Sequence, residues 1–325
     1  MRRREFITLL GGAASAWPLT ARAQQPAMPV IAFIDATSAV ASARWTAAFR
    51  NGLNETGYTE GKNVAVEYHW LEGRYDRLPA LLAELVGRRV AVIATPGSTP
   101  AALAAKAATT TIPIVFGVGE DPVKLGLVAN LARPGGNATG INFFVSEVVL
   151  KRLGLLHDLV PGAVRIAVMI NPGNAATAEA TLREVQKAAD AFGLQIHVLN
   201  ARTIDEIDAA FATLAHERPD ALFVAGDAFF LDRRVQFATL TARERIPATY
   251  SVRELTAAGG LMSYGPTSRT SFITSASIPV ASSRAPSPPT CQWCNRLNLS
   301  SSLTCKRHEP SASTCRLECS QSPMR

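Results

Sequence analysis

From Pro29 to about Pro266, short runs of almost uninterrupted apolar residues alternate with longer amphipathic stretches. No other feature restricts the possible fold of this chain as tightly. VIAFI at 30–34, AVIAT at 91–95, IPIVF at 112–116, RIAVMI at 165–170 and ALFVAG at 221–226 carry almost no polar alternation. A strand wet on one face would alternate with period two, so these runs fit strands buried on both faces of a parallel sheet. The strand candidates are Val30–Asp35, Val64–Trp70, Val90–Thr95, Ile112–Gly117, Arg165–Asn171, Gln195–Leu199, Ala221–Ala225 and Ala248–Ser251. Between them the 3.6-residue apolar period predicts helices over Ser42–Gly57, Tyr75–Val86, Thr99–Ala108, Val148–Leu159, Ala175–Phe192, Ile204–His216 and Arg233–Glu244. Glycine or proline stands at most of their ends. The βαβα order argues for an α/β protein with doubly wound parallel sheets covered by helices.

The pattern runs twice, once over about 29–140 and again from Arg165. The stretch Pro134-Gly135-Gly136-Asn137-Ala138-Thr139-Gly140 is the expected crossover between two similar lobes, 29–140 and 141–266. Two such lobes enclose a cleft, and sheets of this kind bind ligands beyond the carboxyl ends of their strands. Small polar residues recur at those ends: Thr37 and Ser38, Ser98 and Thr99, Asp121, Asn171, Asp227, and Tyr250 in the run IPATYS. These eight are the candidate ligand-binding residues. The Ser, Thr, Asp and Asn among them could equally cap the helices that follow. Asp121 and Asp227 are preferred as acceptors for an amine, and Glu120 is ranked below them.

Catalytic and cofactor signatures are missing. The nearest approach to a nucleophile elbow, Pro96-Gly97-Ser98-Thr99-Pro100, lacks G-x-S-x-G. No P-loop or dinucleotide fingerprint is present, and His69, His157, His197 and His216 show no i, i+4 pair suited to zinc. No cofactor, metal or catalytic residue is assigned, and the chain reads as a binding protein. The alternative is an exported α/β enzyme using Asp121 or Asp227 as acid or base.

The net charge of +7 sits at the ends. Residues 1–23 hold four arginines against one glutamate, and residues 270–325 six cations against two glutamates, which leaves 24–269 neutral. A neutral body carries no electrostatic footprint for nucleic acid. At the N-terminus, three arginines precede the apolar run Phe6–Trp17, and Ala21-Arg22-Ala23 offers a small-x-small cleavage pattern. An export signal over 1–23, cleaved after Ala23, is expected, with delivery to the periplasm. Arg3-Arg4-Glu5-Phe6 follows the twin-arginine pattern in part. All five cysteines lie after residue 290, and a cysteine-free body suits an oxidising compartment.

Taken together, the opening MRRREFITLLGGAA, the stretch AAFRNGLNETGYTEGKNVAVEYHWLEGRYDRLPALLAELV, the stretch AAKAATTTIPIVFGVGEDPVKLGLVANLARPGGNATG and the closing AAGGLMSYGP resemble a large bacterial family. It is that of ABC-transporter substrate-binding proteins, type I periplasmic-binding-protein-like receptors related to tryptophan- and other amino-acid-binding members. The resemblance implies two Rossmann-like lobes with a hinged cleft, and a monomer that hands a small polar solute to an ABC permease in the inner membrane. It stops near Pro266. Residues 267–325 are rich in Ser and Pro and then in Cys, and disorder is expected there. Back-translated with chosen codons and moved by one base, Val280–Gln292 reads GRILKGAEPADLP, and the residues from Trp293 onward read VVQPTKFELV. Members of the family carry such a run, so the tail reads as a frameshifted translation. Cys291 and Cys294 form a C-x-x-C with no matching second pair.

Overall fold

A computed structural model describes residues 28–265. The signal-peptide and tail expectations, including every cysteine, lie outside the described residues. Two all-parallel five-stranded sheets form the frame. The first is built from β1 (Val30–Asp35), β2 (Ala65–Trp70), β3 (Val92–Thr95), β4 (Ile114–Val118) and β5 (Ala138–Asn142), in the order β2-β1-β3-β4-β5. The second uses β6 (Arg165–Ile170), β7 (Gln195–Asn200), β8 (Ala221–Val224), β9 (Ala248–Tyr250) and β10 (Met262–Ser263), ordered β7-β6-β8-β9-β10. The two orders are the same topology, 2-1-3-4-5, so the repeat read from the sequence is a repeat of fold. In each lobe the order reverses beside the first strand, which places a crevice at the carboxyl ends of β1 and β3 and of β6 and β8.

Helices α1 (Ala39–Glu55), α2 (Leu78–Gly87) and α3 (Thr99–Ala108) cover the first sheet. Around the second lie α4 (Val149–Leu159), α5 (Ala175–Phe192), α6 (Ile204–Glu217), α7 (Ala228–Asp232), α8 (Arg234–Glu244) and α9 (Arg253–Ala257). The apolar strand runs are buried on both faces, as their lack of alternation requires. Ile31 and Phe33 join one cluster with Phe49 and Leu53 of α1, while Ala32 and Ile34 join another with Leu82, Leu85 and Ala101. Local chemistry fixes the helix starts: Ser38 Oγ caps α1 at Ala41 N, 3.3 Å, and Ser98 Oγ caps α3 at Ala101 N, 3.3 Å. Gly193, left-handed with φ 69°, ends α5.

Several elements depart from the expectation. The helix anticipated from Tyr75 opens with a 3-10 turn, Tyr75–Arg77, before α2. Five-residue helices α7 and α9 fall where loops were expected. Ala138–Gly140, read as crossover, belongs to β5, which pairs with β4 from Ile114↔Ala138 to Val118↔Asn142. Gly140 permits this close pairing, because a Cβ there would collide with the backbone oxygen and ring of Phe116. From β5 the chain runs through 143–148 into α4. It turns at Phe144, φ 55°, whose N–H donates to Asn142 Oδ1 at 2.8 Å. No described helix is long and apolar enough to cross a membrane.

Candidate functional site

The two crevices face each other across one cavity of about 160 Å³. One water needs roughly 10–15 Å³ on that measure, so the space suits a small solute rather than a single solvent molecule. From the first lobe come Asp35 and Thr37 after β1, Pro96, Gly97 and Thr99 after β3, and Gly119 and Glu120 after β4. The second lobe supplies Asn174 and Thr177 at the start of α5, Gly226, Asp227 and Ala228 after β8, and Ser251 and Val252 after β9. Trp45, Tyr75, Phe143, Val145 and Leu231 add aromatic and apolar wall.

Polar contacts join the lobes across this cavity. Ser38 donates its N–H to Asp232 Oδ2 and its hydroxyl to Asp232 Oδ1, both at 2.9 Å. Tyr75 donates its hydroxyl to Asp227 Oδ2 at 3.2 Å. Arg44 pairs with Glu254 at 2.8 Å on the exposed rim, where an ion pair adds little. Trp45 and Ala48 of α1 are buried within the apolar cluster of the second lobe. The lobes therefore touch around the cavity, which stays partly open between them.

Each carboxylate has a distinct setting. Asp35, 3% exposed, accepts from Thr37 N and Thr37 Oγ1, both 2.8 Å, and from Ser42 Oγ at 2.5 Å. Burial pushes its pKa up, and the three donors only partly offset that. Asp227 accepts four hydrogen bonds: Asn171 Nδ2 at 2.8 Å and Phe229 N at 3.0 Å on Oδ1, Asn174 Nδ2 at 3.0 Å and Tyr75 Oη at 3.2 Å on Oδ2. Burial raises its pKa as well, and also that of Tyr75, whose hydroxyl stays protonated against Asp227. Glu120, 7% exposed, takes the Thr99 hydroxyl on Oε2 at 2.6 Å.

Of the eight sequence candidates, Thr37, Thr99 and Asp227 line the cavity. Ser38 and Ser98 sit one residue away, the former tying the lobes and both capping helices. Asn171 stands behind Asp227 and orients it. Asp121 turns away to hold Val123 N at 2.9 Å, and Tyr250 is 1% exposed in the core, its hydroxyl 3.2 Å from that of Thr241. Glu120, ranked below Asp121 in the sequence, is the acid that faces the cavity. Asp35 was passed over because it ends a strand, and Trp45, Tyr75 and Asn174 lacked any signal beyond helix or loop.

The chain is 26% identical over 217 residues to a tyrosine-binding protein from Clostridioides difficile (strain R20291), covering 67% of this chain and 61% of that protein. It thus spans less than two thirds of that relative's length. A conserved domain protein from Vibrio cholerae O1 biovar eltor superposes with a TM-score of 0.69 at 24% identity, covering 78% of this chain and 84% of the other. An ABC domain from Streptococcus pneumonia in complex with L-Trp gives a TM-score of 0.68 at 20% identity, with the same coverages of 78% and 84%. At these identities the two structures speak for the fold alone. The family model for ABC transporter substrate binding proteins matches residues 28–277, well over half of the sequence. With its twinned parallel sheets and interlobe cavity, the chain belongs to the family of ABC transporter substrate binding proteins.

Proposed function

We propose that the protein is an exported receptor that closes on a small polar solute, an amino acid or related carboxylate, and delivers it to an ABC permease of the inner membrane. The observation that carries this reading is the cavity itself, which takes its polar lining from both switch-point crevices. The tyrosine-binding relative supports an amino-acid ligand. A receptor rather than an enzyme is favoured because Asp227 already accepts four hydrogen bonds and Asp35 three, which suits holding shape better than exchanging protons. Thr37, Thr99 and Asp227 act at the cavity wall, Ser38, Ser98 and Asn171 behind it, with Asp121 and Tyr250 supporting the loops. The lobes are 29–140 and 141–266, the receptor works as a monomer, and residues 1–23 direct export through the twin-arginine or general route before cleavage after Ala23. The tail is out of frame, a reading supported by the back-translated run and by a family match that ends at residue 277.

The test is thermal melting of the full chain with each common amino acid. A ligand at a hundred times its Kd should add about 2.7 kcal/mol, or several degrees. Recovering that ligand chemically unchanged is expected of a receptor; conversion to product would establish the enzyme alternative.

A further inference from the structure

Two residues that line the cavity each carry an acceptor with no donor among the described residues. Glu120 is 7% exposed and gives only Oε2 to Thr99, leaving Oε1 without a donor. Asn174 is also 7% exposed, and while its Nδ2 serves Asp227, its Oδ1 is buried and unmatched. Buried acceptors are normally satisfied, and a spare acceptor on a cavity-lining side chain draws a donor. Asn174 Oδ1 has almost no accessible surface, which leaves Glu120 as the residue to meet a ligand. The two belong to opposite lobes, Glu120 after β4 and Asn174 at the start of α5. The lining contains Asp35, Glu120 and Asp227 and no Lys, Arg or His. Asp227 accepts four hydrogen bonds and Asp35 three, against one for Glu120, so Glu120 is the carboxylate with the most to offer.

We propose that the cavity selects a protonated primary amine, that Glu120 anchors it through Oε1, and that a carboxylate on the solute is dispensable. An ammonium carries three donors and no acceptor, which matches a wall holding a free acceptor. A carboxylate entering the same space finds no cationic side chain, only hydroxyls such as Thr177 and backbone N–H groups. Trp45, Tyr75 and Val252 leave the remainder of the cavity apolar, suited to a hydrocarbon or aromatic body. This inference rests on the receptor reading and narrows it to one ligand chemistry.

The experiment uses the full chain with two matched sets. One is tyrosine, tyramine and hydroxyphenylpropionate; the other is leucine, isoamylamine and methylpentanoate. The amino acid and the amine of at least one set should raise the melting temperature, and the deaminated acids should not. In calorimetry Glu120→Gln, which keeps an oxygen for the Thr99 hydroxyl, should weaken amine binding roughly thirty-fold or more. Asp190→Asn, an exposed change on α5 away from the cavity, should stay within about twofold. A deaminated acid that binds as well as its parent overturns the inference and leaves the receptor intact, as does a folded Glu120→Gln of unchanged affinity. If no member of either set shifts the melt, the receptor reading falls for such solutes and the inference with it. The panel decides on the unsubstituted chain, so a Glu120 variant that fails to fold does not remove the test.

Discussion

Replacing Asp232 by Asn separates closure of the lobes from folding of each one. Asp232 ends α7 in the second lobe, and both of its oxygens receive donors from Ser38, the residue that begins α1 in the first. The amide keeps one acceptor, but its NH2 must then oppose one of the two Ser38 donors. A typical hydrogen bond contributes about 0.5–1.5 kcal/mol net, and an opposed donor adds a similar penalty, so the closed form should lose about 2 kcal/mol. In an open cleft the same groups bond water, and only the difference between open and closed forms reaches the ligand. Two kcal/mol corresponds to roughly thirty-fold in Kd. The assay is calorimetric titration of the bound amino acid into the unsubstituted chain, Asp232→Asn, Ser38→Ala and the double variant. The double should cost less than the sum of the singles, because both remove the same contact. Ligand-free melting should move by only a degree or two, apart from the loss of the α1 cap in the Ser38 variant. Unchanged affinity together with a fall of several degrees in the ligand-free melt would refute the reasoning, since the contact would then belong to one rigid body.

Gly73→Ala should also act on closure. Gly73 has φ 78°, and a Cβ there would stand 2.8 Å from Cβ of Phe229 on the other lobe. Strain of about 1 kcal/mol should appear in the ligand-free melt, with a further loss of affinity of tenfold or so seen by titration. Asp35→Asn should raise the ligand-free melting temperature at pH 7, because burial holds the native pKa of Asp35 above its ordinary 3.8. A raised native pKa means the acid's stabilising contribution is complete below the unfolded value and is lost as pH rises through the native one. The advantage of the neutral amide should therefore shrink as melts are repeated from pH 7 towards pH 4; an advantage that grows on acidification would show the sign to be wrong.

The site was legible in place rather than in person. The rule that ligands gather beyond the carboxyl ends of parallel strands pointed to the correct loops. Which of two neighbours faces inward depends on where the loop goes next. Glu120 and Asp121 are adjacent and both acidic, yet Asp121 is turned aside by its bond to Val123 N, while the Thr99 hydroxyl holds Glu120 over the cavity. Asp227 was singled out and does line the wall, but its four donors come from residues as distant in sequence as Tyr75. No local pattern encodes that saturation.

The sequence by itself determined the layers. Continuous apolar runs can be buried only on both faces of a sheet, and the intervening helices must cover those faces, so two parallel-sheet lobes follow from composition and period. Serine caps and a left-handed glycine set several helix ends locally. The tertiary structure alone decided β5, whose residues Ala138–Asn142 carry little strand propensity and pair because β4 presents an unpaired edge to them. It also decided that Trp45 and Ala48, ordinary apolar positions of an amphipathic helix, are buried against the partner lobe. Periodicity reports that a face is covered, since the hydrophobic effect is non-directional; what covers it is settled only when the lobes meet.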